Sequence, residues 1–200
     1  MDQVKRQYRQ TARADQVAAT RRRIVEAAVA LHSTVGPANT TLSAVAREAG
    51  VSRPTLYAHF PDEATLFRAC TMHSMAQSPP PDPQAWSAID DPHDRVRTAL
   101  TELYAHYARN EQMLENVLRD MYVVESMREF NLPLVEASFE QMTEVLTAGF
   151  GDAQASARRR AALVALAVSF DTWRILARDR TLTDDEAAEL MTTVVVESVA

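Results

Sequence analysis

Two hundred residues, 46% of them apolar and 24% charged, make a globular chain of one or two domains and exclude intrinsic disorder. A single cysteine, Cys70, excludes an internal disulfide framework, and no apolar run reaches the length of a membrane span, so a reducing cytoplasm is the expected compartment. The formal net charge of −6 is unevenly spread: residues 1–75 carry ten Lys/Arg against six Asp/Glu, and residues 76–200 eleven against twenty-one, which makes the first part the better suited to meet an anion such as nucleic acid.

Residues 1–15 are polar, hold Lys5, Arg6, Arg9 and Arg13, show little periodicity, and are expected to form a flexible basic arm, read first as a disordered tail without function and second as an arm that enters a DNA minor groove. Beyond the arm, Ile24, Ala28, Leu31 and Val35 keep helical spacing until Gly36-Pro37 ends it. In "TTLSAVAREAG", Leu42, Val45, Ala46 and Ala49 fall at i, i+3, i+4 and i+7, with Thr40 or Thr41 as cap and Gly50 as stop. Ser52 caps a third helix, in which Pro54 is harmless because it lies in the first turn. Asp62 opens a fourth helix running to about Gln77.

The proline-rich stretch "SPPPDPQAWSAIDDPHD" then interrupts regular structure. After it the spacing predicts helices over 93–109 (Val96, Ala99, Leu100, Leu103, Tyr107), 111–128 (Leu114, Val117, Leu118, Met121) and 133–149 (Val135, Phe139, Met142, Leu146). A long helix is expected over 153–180 and a last one after the cap Thr183. With neither strand alternation nor an internal repeat, the chain reads as all-α with about nine helices, divided into domains at 16–77 and 78–200.

Residues 40–60 set two short helices around a tight turn containing Gly50, the helix-turn-helix arrangement. The first packs Leu42, Val45, Ala46 and Ala49 inward. The second is too short for a core helix; it offers Arg53, Thr55, Tyr57 and His59 outward and leaves the core to Val51, Leu56 and Phe60.

At "TTLSAVAREAGVSRPTLYAHFPDEATLF", residues 40–67, the chain resembles the tetracycline-repressor (TetR) family of transcriptional regulators. The resemblance lies in Thr at the start of the second helix, Ala-Gly-Val-Ser through the turn, Leu-Tyr-x-His-Phe closing the third helix and a Leu-Phe pair seating the fourth. It implies a three-helix DNA-binding domain joined through helix 4 to a C-terminal helical domain for ligand binding and dimerisation. It further implies a homodimeric regulator, a repressor released from a pseudo-palindromic operator by a small molecule. Position by position, Thr41 would meet a phosphate, and Arg53 and Thr55 would reach base edges, Arg suiting the O6/N7 edge of guanine and a Thr methyl suiting thymine. Tyr57 and His59 would anchor flanking phosphates. Arg47 is a further candidate phosphate contact, and Ser52 is a helix cap that can also face DNA. The plainer readings are a Tyr57 ring packed in the small core, a surface His59, and a solvated face for Arg21, Arg22 and Arg23.

The chain departs from the family's pattern at Glu63, where members often carry Lys. Asp62 is a natural cap, and acids in a first turn complement the helix dipole by about 0.3–1 kcal/mol each. A phosphate at contact distance would oppose Glu63 by about 1 kcal/mol in high dielectric.

In the second half, "AALVALAVSF" (161–170) is apolar nearly all round and must be covered on several faces. Together with Leu190, Met191, Val194, Val195 and Val199 it is expected to serve a dimer interface, which the resemblance describes as a four-helix bundle. Asp171 and Arg174 are expected to pair there. Large adaptable side chains in between suit a tolerant apolar pocket; with the resemblance, they make Tyr104, Tyr107, Met121, Phe139 and Trp173 the candidate lining. Cys70 and His73 stand three apart without a second pair at metal-site spacing, and no Gly-rich phosphate loop, HExxH or GxSxG pattern occurs. No enzyme, metal or cofactor is expected. The alternative to a regulator is a helical ligand- or partner-binding module that has lost DNA binding.

Overall fold

The computed structural model describes residues 2–151 and 153–197, and among these all regular structure is helical. The order is α1 (Asp2–Thr34), a 3-10 turn (Pro37–Asn39), α2 (Leu42–Glu48), α3 (Arg53–His59), α4 (Glu63–Gln77), α5 (Pro83–Trp86), α6 (Pro92–Asp120), α7 (Glu125–Thr147), α8 (Gln154–Ala167), α9 (Phe170–Arg174, continued by a π-helical turn over Ile175–Asp179) and α10 (Asp184–Glu197). No helix among the described residues is long and apolar enough to cross a membrane. The chain forms two compact units, one of Met1–Gln77 with Glu115–Asn131 and the other of Ser78–Leu114 with Leu132–Ala200.

In the first unit, Ile24, Val25, Ala27 and Ala28 of α1 meet Val45 and Ala46 of α2, Leu56 and Phe60 of α3, and Leu66 and Cys70 of α4 in one buried core. The Cys70 thiol donates to the Val25 carbonyl at 4.0 Å, and burial pushes its pKa up to about 12, so it is a packing group rather than a nucleophile. Residues 2–15, read from sequence as an arm, continue α1 without a break. Their Gln, Arg, Lys and Ala are good helix formers, and extending an existing helix needs no new nucleus. Arg13 is exposed, while the side chains of Lys5, Arg6 and Arg9 lie outside the described residues.

After residue 92 the helices differ from the sequence reading in three places. The expected helices over 93–109 and 111–128 are one helix, α6, ending at Asp120 and kinked at Asn110 (φ −119°, ψ 15°). The kink is held by the Asn110 amide, which donates to the Ser78 hydroxyl at 2.9 Å and to the His106 carbonyl at 2.8 Å. The helix expected from 133 starts at Glu125, so Pro133 lies inside α7 and has no N–H for the Glu129 carbonyl. The long helix expected over 153–180 breaks at Val168, where Ser169 caps α9 by accepting from the Asp171 amide at 3.2 Å.

Two buried side chains tie elements of the second unit together, one through main-chain carbonyls and one through a carboxylate. Arg95 donates to the carbonyls of Ile89, Asp90, Val145 and Ala148, tying the segment before α6 to the end of α7. The Trp86 indole donates to Glu102 at 2.7 Å and anchors α5 on α6. At the start of α10, Thr183 and Glu186 form a reciprocal capping box, which also lowers the Glu186 carboxyl pKa, chiefly through the Thr183 amide.

Candidate nucleic-acid interface

The ends of α2 and α3 are closed by the residues that the sequence pattern marks. Thr41 Oγ1 accepts from the Ala44 amide at 3.1 Å and Ser52 Oγ from the Thr55 amide at 3.2 Å, so both hydroxyls stand at helix N-termini. Gly50, at φ +63°, makes the turn between the helices in the left-handed region that glycine enters freely. Leu56 (1% exposed) of α3 and Phe60 (0%), the residue that follows α3, face the core. Helical periodicity then sets Arg53 and Tyr57 on one flank and Thr55 and His59 on the other.

Arg53 is exposed, and its guanidinium lies 6.0 Å from the centroid of the Tyr57 ring, which is itself 41% exposed. The plainer reading of Tyr57 as a core residue therefore does not describe this ring. Thr55 is half-buried, with its hydroxyl bonded to that of Ser52 at 2.8 Å. His59 is half-buried; Thr41, Arg47 and Ser52 are exposed. The surface thus combines two helix N-termini with two exposed guanidinium groups and a phenol, a set suited to phosphate and base-edge contacts.

Asp62 caps α4, its Oδ1 accepting from the Thr65 amide at 2.7 Å, and the Thr65 hydroxyl and amide hold its carboxyl pKa below the usual value. Glu63 follows in the first turn and is exposed. Local bonding therefore accounts for Asp62, and dipole complementarity accounts for Glu63.

One contributor to this surface carries no local signal. Arg21, expected on a solvated face, donates from Nη1 to the His59 carbonyl at 3.0 Å and closes the end of α3 from α1. Three consecutive arginines do not reveal which one has this role.

The second unit gathers three of the five candidate lining residues. Tyr104 and Tyr107 stack at 6.2 Å, Tyr107 meets Trp173 at 5.9 Å, and Phe170 joins both Tyr107 and Trp173. The Tyr104 hydroxyl donates to the Ala167 carbonyl and the Tyr107 hydroxyl to the Val168 carbonyl, which are the acceptors freed where α8 stops. Burial pushes both phenol pKa values up. The Trp173 indole donates to Asp184 at 2.9 Å, and Arg178 lies 4.5 Å over its ring while bonding Glu111 at 2.9 Å. Phe139 is half-buried on α7. Met121 is buried in the first unit. Asp171 and Arg174 approach to 3.8 Å within α9. Among the described residues, no group of three or more His, Cys, Asp or Glu is placed to hold a metal ion.

The first unit thus holds a helix-turn-helix, and the second an aromatic cluster of Tyr104, Tyr107, Phe170 and Trp173. Residues 24–70 match the family model described as bacterial regulatory proteins, tetR family, so the N-terminal unit carries a tetR-family domain. The chain matches no curated protein sequence. Among solved structures it is similar to a TetR-like transcriptional regulator from Rhodococcus sp. RHA1, at 20% identity and a TM-score of 0.64 over 91% of this chain and 96% of that one. It is also similar to NalD, the secondary repressor of the MexAB-OprM multidrug efflux pump in Pseudomonas aeruginosa, at 23% identity and 0.60 over 90% and 95%. A third likeness is to a candidate fatty acid metabolism regulator from Clostridium perfringens, at 15% and 0.65 over 89% and 98%. Over its length the chain has the TetR-like fold.

Proposed function

We propose that the chain is a homodimeric DNA-binding transcriptional regulator, a repressor that a small molecule bound in the C-terminal unit releases from a pseudo-palindromic operator. The observation that carries this reading is the exposed flank of α3, where Arg53 and Tyr57 stand away from the Leu56–Phe60 core. In this reading Arg53 and Thr55 read base edges, while Thr41, Arg47, Tyr57 and His59 contact phosphates and Ser52 presents the α3 N-terminus. Repression by NalD, a protein of the same fold, supports the direction of control.

Dimerisation is supported by the outer faces of α8 and α10, which leave Leu166 (52%) and Leu190 (43%) exposed. Two reading helices about 34–36 Å apart match one turn of duplex, which a two-fold dimer supplies. The proposed effector site is lined by Tyr104, Tyr107, Phe139 and Trp173. With both phenol hydroxyls bonded to carbonyls, their contribution to an effector is ring area, which favours an apolar or aromatic compound. The compound must bind the DNA-free conformation better for release to follow.

Fluorescence-anisotropy titration of the dimer against DNA from upstream of its own gene tests the reading. Saturable binding is expected, weakened roughly tenfold or more by Arg53→Ala, with a smaller loss for Tyr57→Phe and the dimer intact in both. An intact dimer that binds no such DNA at low salt would instead favour the helical ligand- or partner-binding module.

A further inference from the structure

The last turn of α6 belongs to the same compact unit as the helix-turn-helix, although nothing in the motif calls for it. Asn116 and Asp120 are both 3% exposed there. The Asn116 amide donates to the His32 carbonyl at 3.1 Å and to the Ser33 carbonyl at 2.8 Å. In a continuing helix the Ser33 carbonyl would look to residue 37, but Pro37 has no N–H, and Asn116 takes that place. Asp120 Oδ2 accepts from the Ala38 amide at 2.9 Å, inside the 3-10 turn that joins α1 to α2. Arg119 donates to both Asp120 oxygens, at 2.7 and 3.0 Å, and to Asn116 Oδ1 at 3.0 Å.

The turn is shaped to receive this cluster. Gly36 has φ +87°, and a Cβ there would stand 2.2 Å from Arg119 Nη2 and 2.7 Å from Asp120 Oδ2. Thr40 bonds back to the Gly36 carbonyl at 2.8 Å, and the next residue, Thr41, caps α2. Beside the cluster, the His32 ring stacks on Phe67 of α4 at 4.9 Å and 9°. The end of α6 therefore holds the α1–α2 turn, and His32 in the last turn of α1 contacts α4.

We propose that Asn116, Arg119 and Asp120 are positioning residues for the helix-turn-helix, setting the angle at which α1 hands over to α2, so that a change in α6 reaches α2 and α3 through the Gly36–Thr40 turn. The proposal rests on the DNA-binding reading for its function and on hydrogen-bond geometry for its mechanism, and the two fail separately.

The test uses the full-length dimer with Asp120→Asn and Asn116→Ala, and Val25→Ala as a core variant that lowers stability without touching the cluster. Amide hydrogen exchange is followed at Ala38, across α2 and across α3, and DNA affinity is measured at equal folded fraction. The expected result is faster exchange at Ala38 that spreads to α2 and α3, with affinity lowered roughly tenfold in both cluster variants and unchanged in Val25→Ala. Faster exchange confined to Gly36–Thr40, or wild-type affinity in the cluster variants, would overturn it. If the wild-type dimer binds no DNA, the regulator reading falls, and the spread of exchange alone decides whether the cluster positions α2 and α3.

Discussion

Arg21 of α1 donates from Nη1 to the carbonyl of His59 at the end of α3, at 3.0 Å. The same guanidinium lies 4.1 Å from the Phe60 ring centroid, so one side chain serves a helix-end carbonyl and covers an aromatic core residue. Arg21→Ala should lower stability by about 1–2 kcal/mol, the sum of a charge-assisted hydrogen bond and a cation–π contact. Arg22→Ala and Arg23→Ala should stay within about 0.5 kcal/mol, since both are exposed and the Arg22–Glu26 pair is a 3.8 Å surface contact. Urea midpoints measure all three; equal shifts would show the Arg21 contact to be inert.

His32 gives the first unit an acid-sensitive point. Burial lowers its pKa to about 4, against a smaller upward pull from Asp120. The unfolded chain binds this proton at the ordinary value near 6.5, so between the two values the unfolded state holds more protons and stability rises with pH. This contribution is complete above about pH 6.5 and is lost as the pH falls towards 4, by at most about 3 kcal/mol. Asp120, whose pKa is lowered chiefly by its Arg119 hydrogen bond, stays ionised through this window. His32→Phe, which keeps a ring against Phe67, should flatten the stability profile between pH 4 and 6.5. An unchanged slope in denaturant titrations would exclude His32 as its source.

Tyr104 and Tyr107 make the break between α8 and α9 tolerable by serving the carbonyls of Ala167 and Val168. Tyr107→Phe removes one buried donor and should cost about 1–3 kcal/mol, because the Val168 carbonyl then loses its partner away from water. Thermal unfolding of the protein reads this directly. A loss below about 0.5 kcal/mol would mean that α8 and α9 close up to satisfy the carbonyl themselves.

Glu63 offers a test of distance to the duplex. In the regulator reading, Glu63→Lys exchanges a phosphate-repelling charge for an attracting one, so binding should tighten and its salt dependence steepen by roughly one phosphate contact per protomer. Affinity and salt slope equal to wild type would place Glu63 away from the phosphates. Asp62 is less suitable for such a change, because removing it also uncaps α4.

Much of the first unit was legible residue by residue. Thr41, Ser52 and Asp62 cap the helices that they precede, and Val45, Ala46, Leu56 and Phe60 are buried as their spacing requires. The chain after residue 92 was less legible where a local signal had more than one outcome. Pro133 reads as a helix start, but the preceding turn of α7 is helical too. Asn110 gives no sign that it kinks one helix rather than separating two; that depends on the Ser78 hydroxyl, 32 positions away.

Local sequence thus determined the helical class, the caps and the helix-turn-helix, because periodicity and capping act between residues a few positions apart. Tertiary structure alone decided that Arg21 closes α3, that Asn116 and Asp120 hold the α1–α2 turn, and that two tyrosines accommodate the end of α8. In each case a carbonyl or amide left without a local partner is served by a side chain from another helix, between 38 and 84 positions distant. Buried main-chain groups must be paired, but which distant side chain pairs them leaves no pattern in the neighbouring sequence.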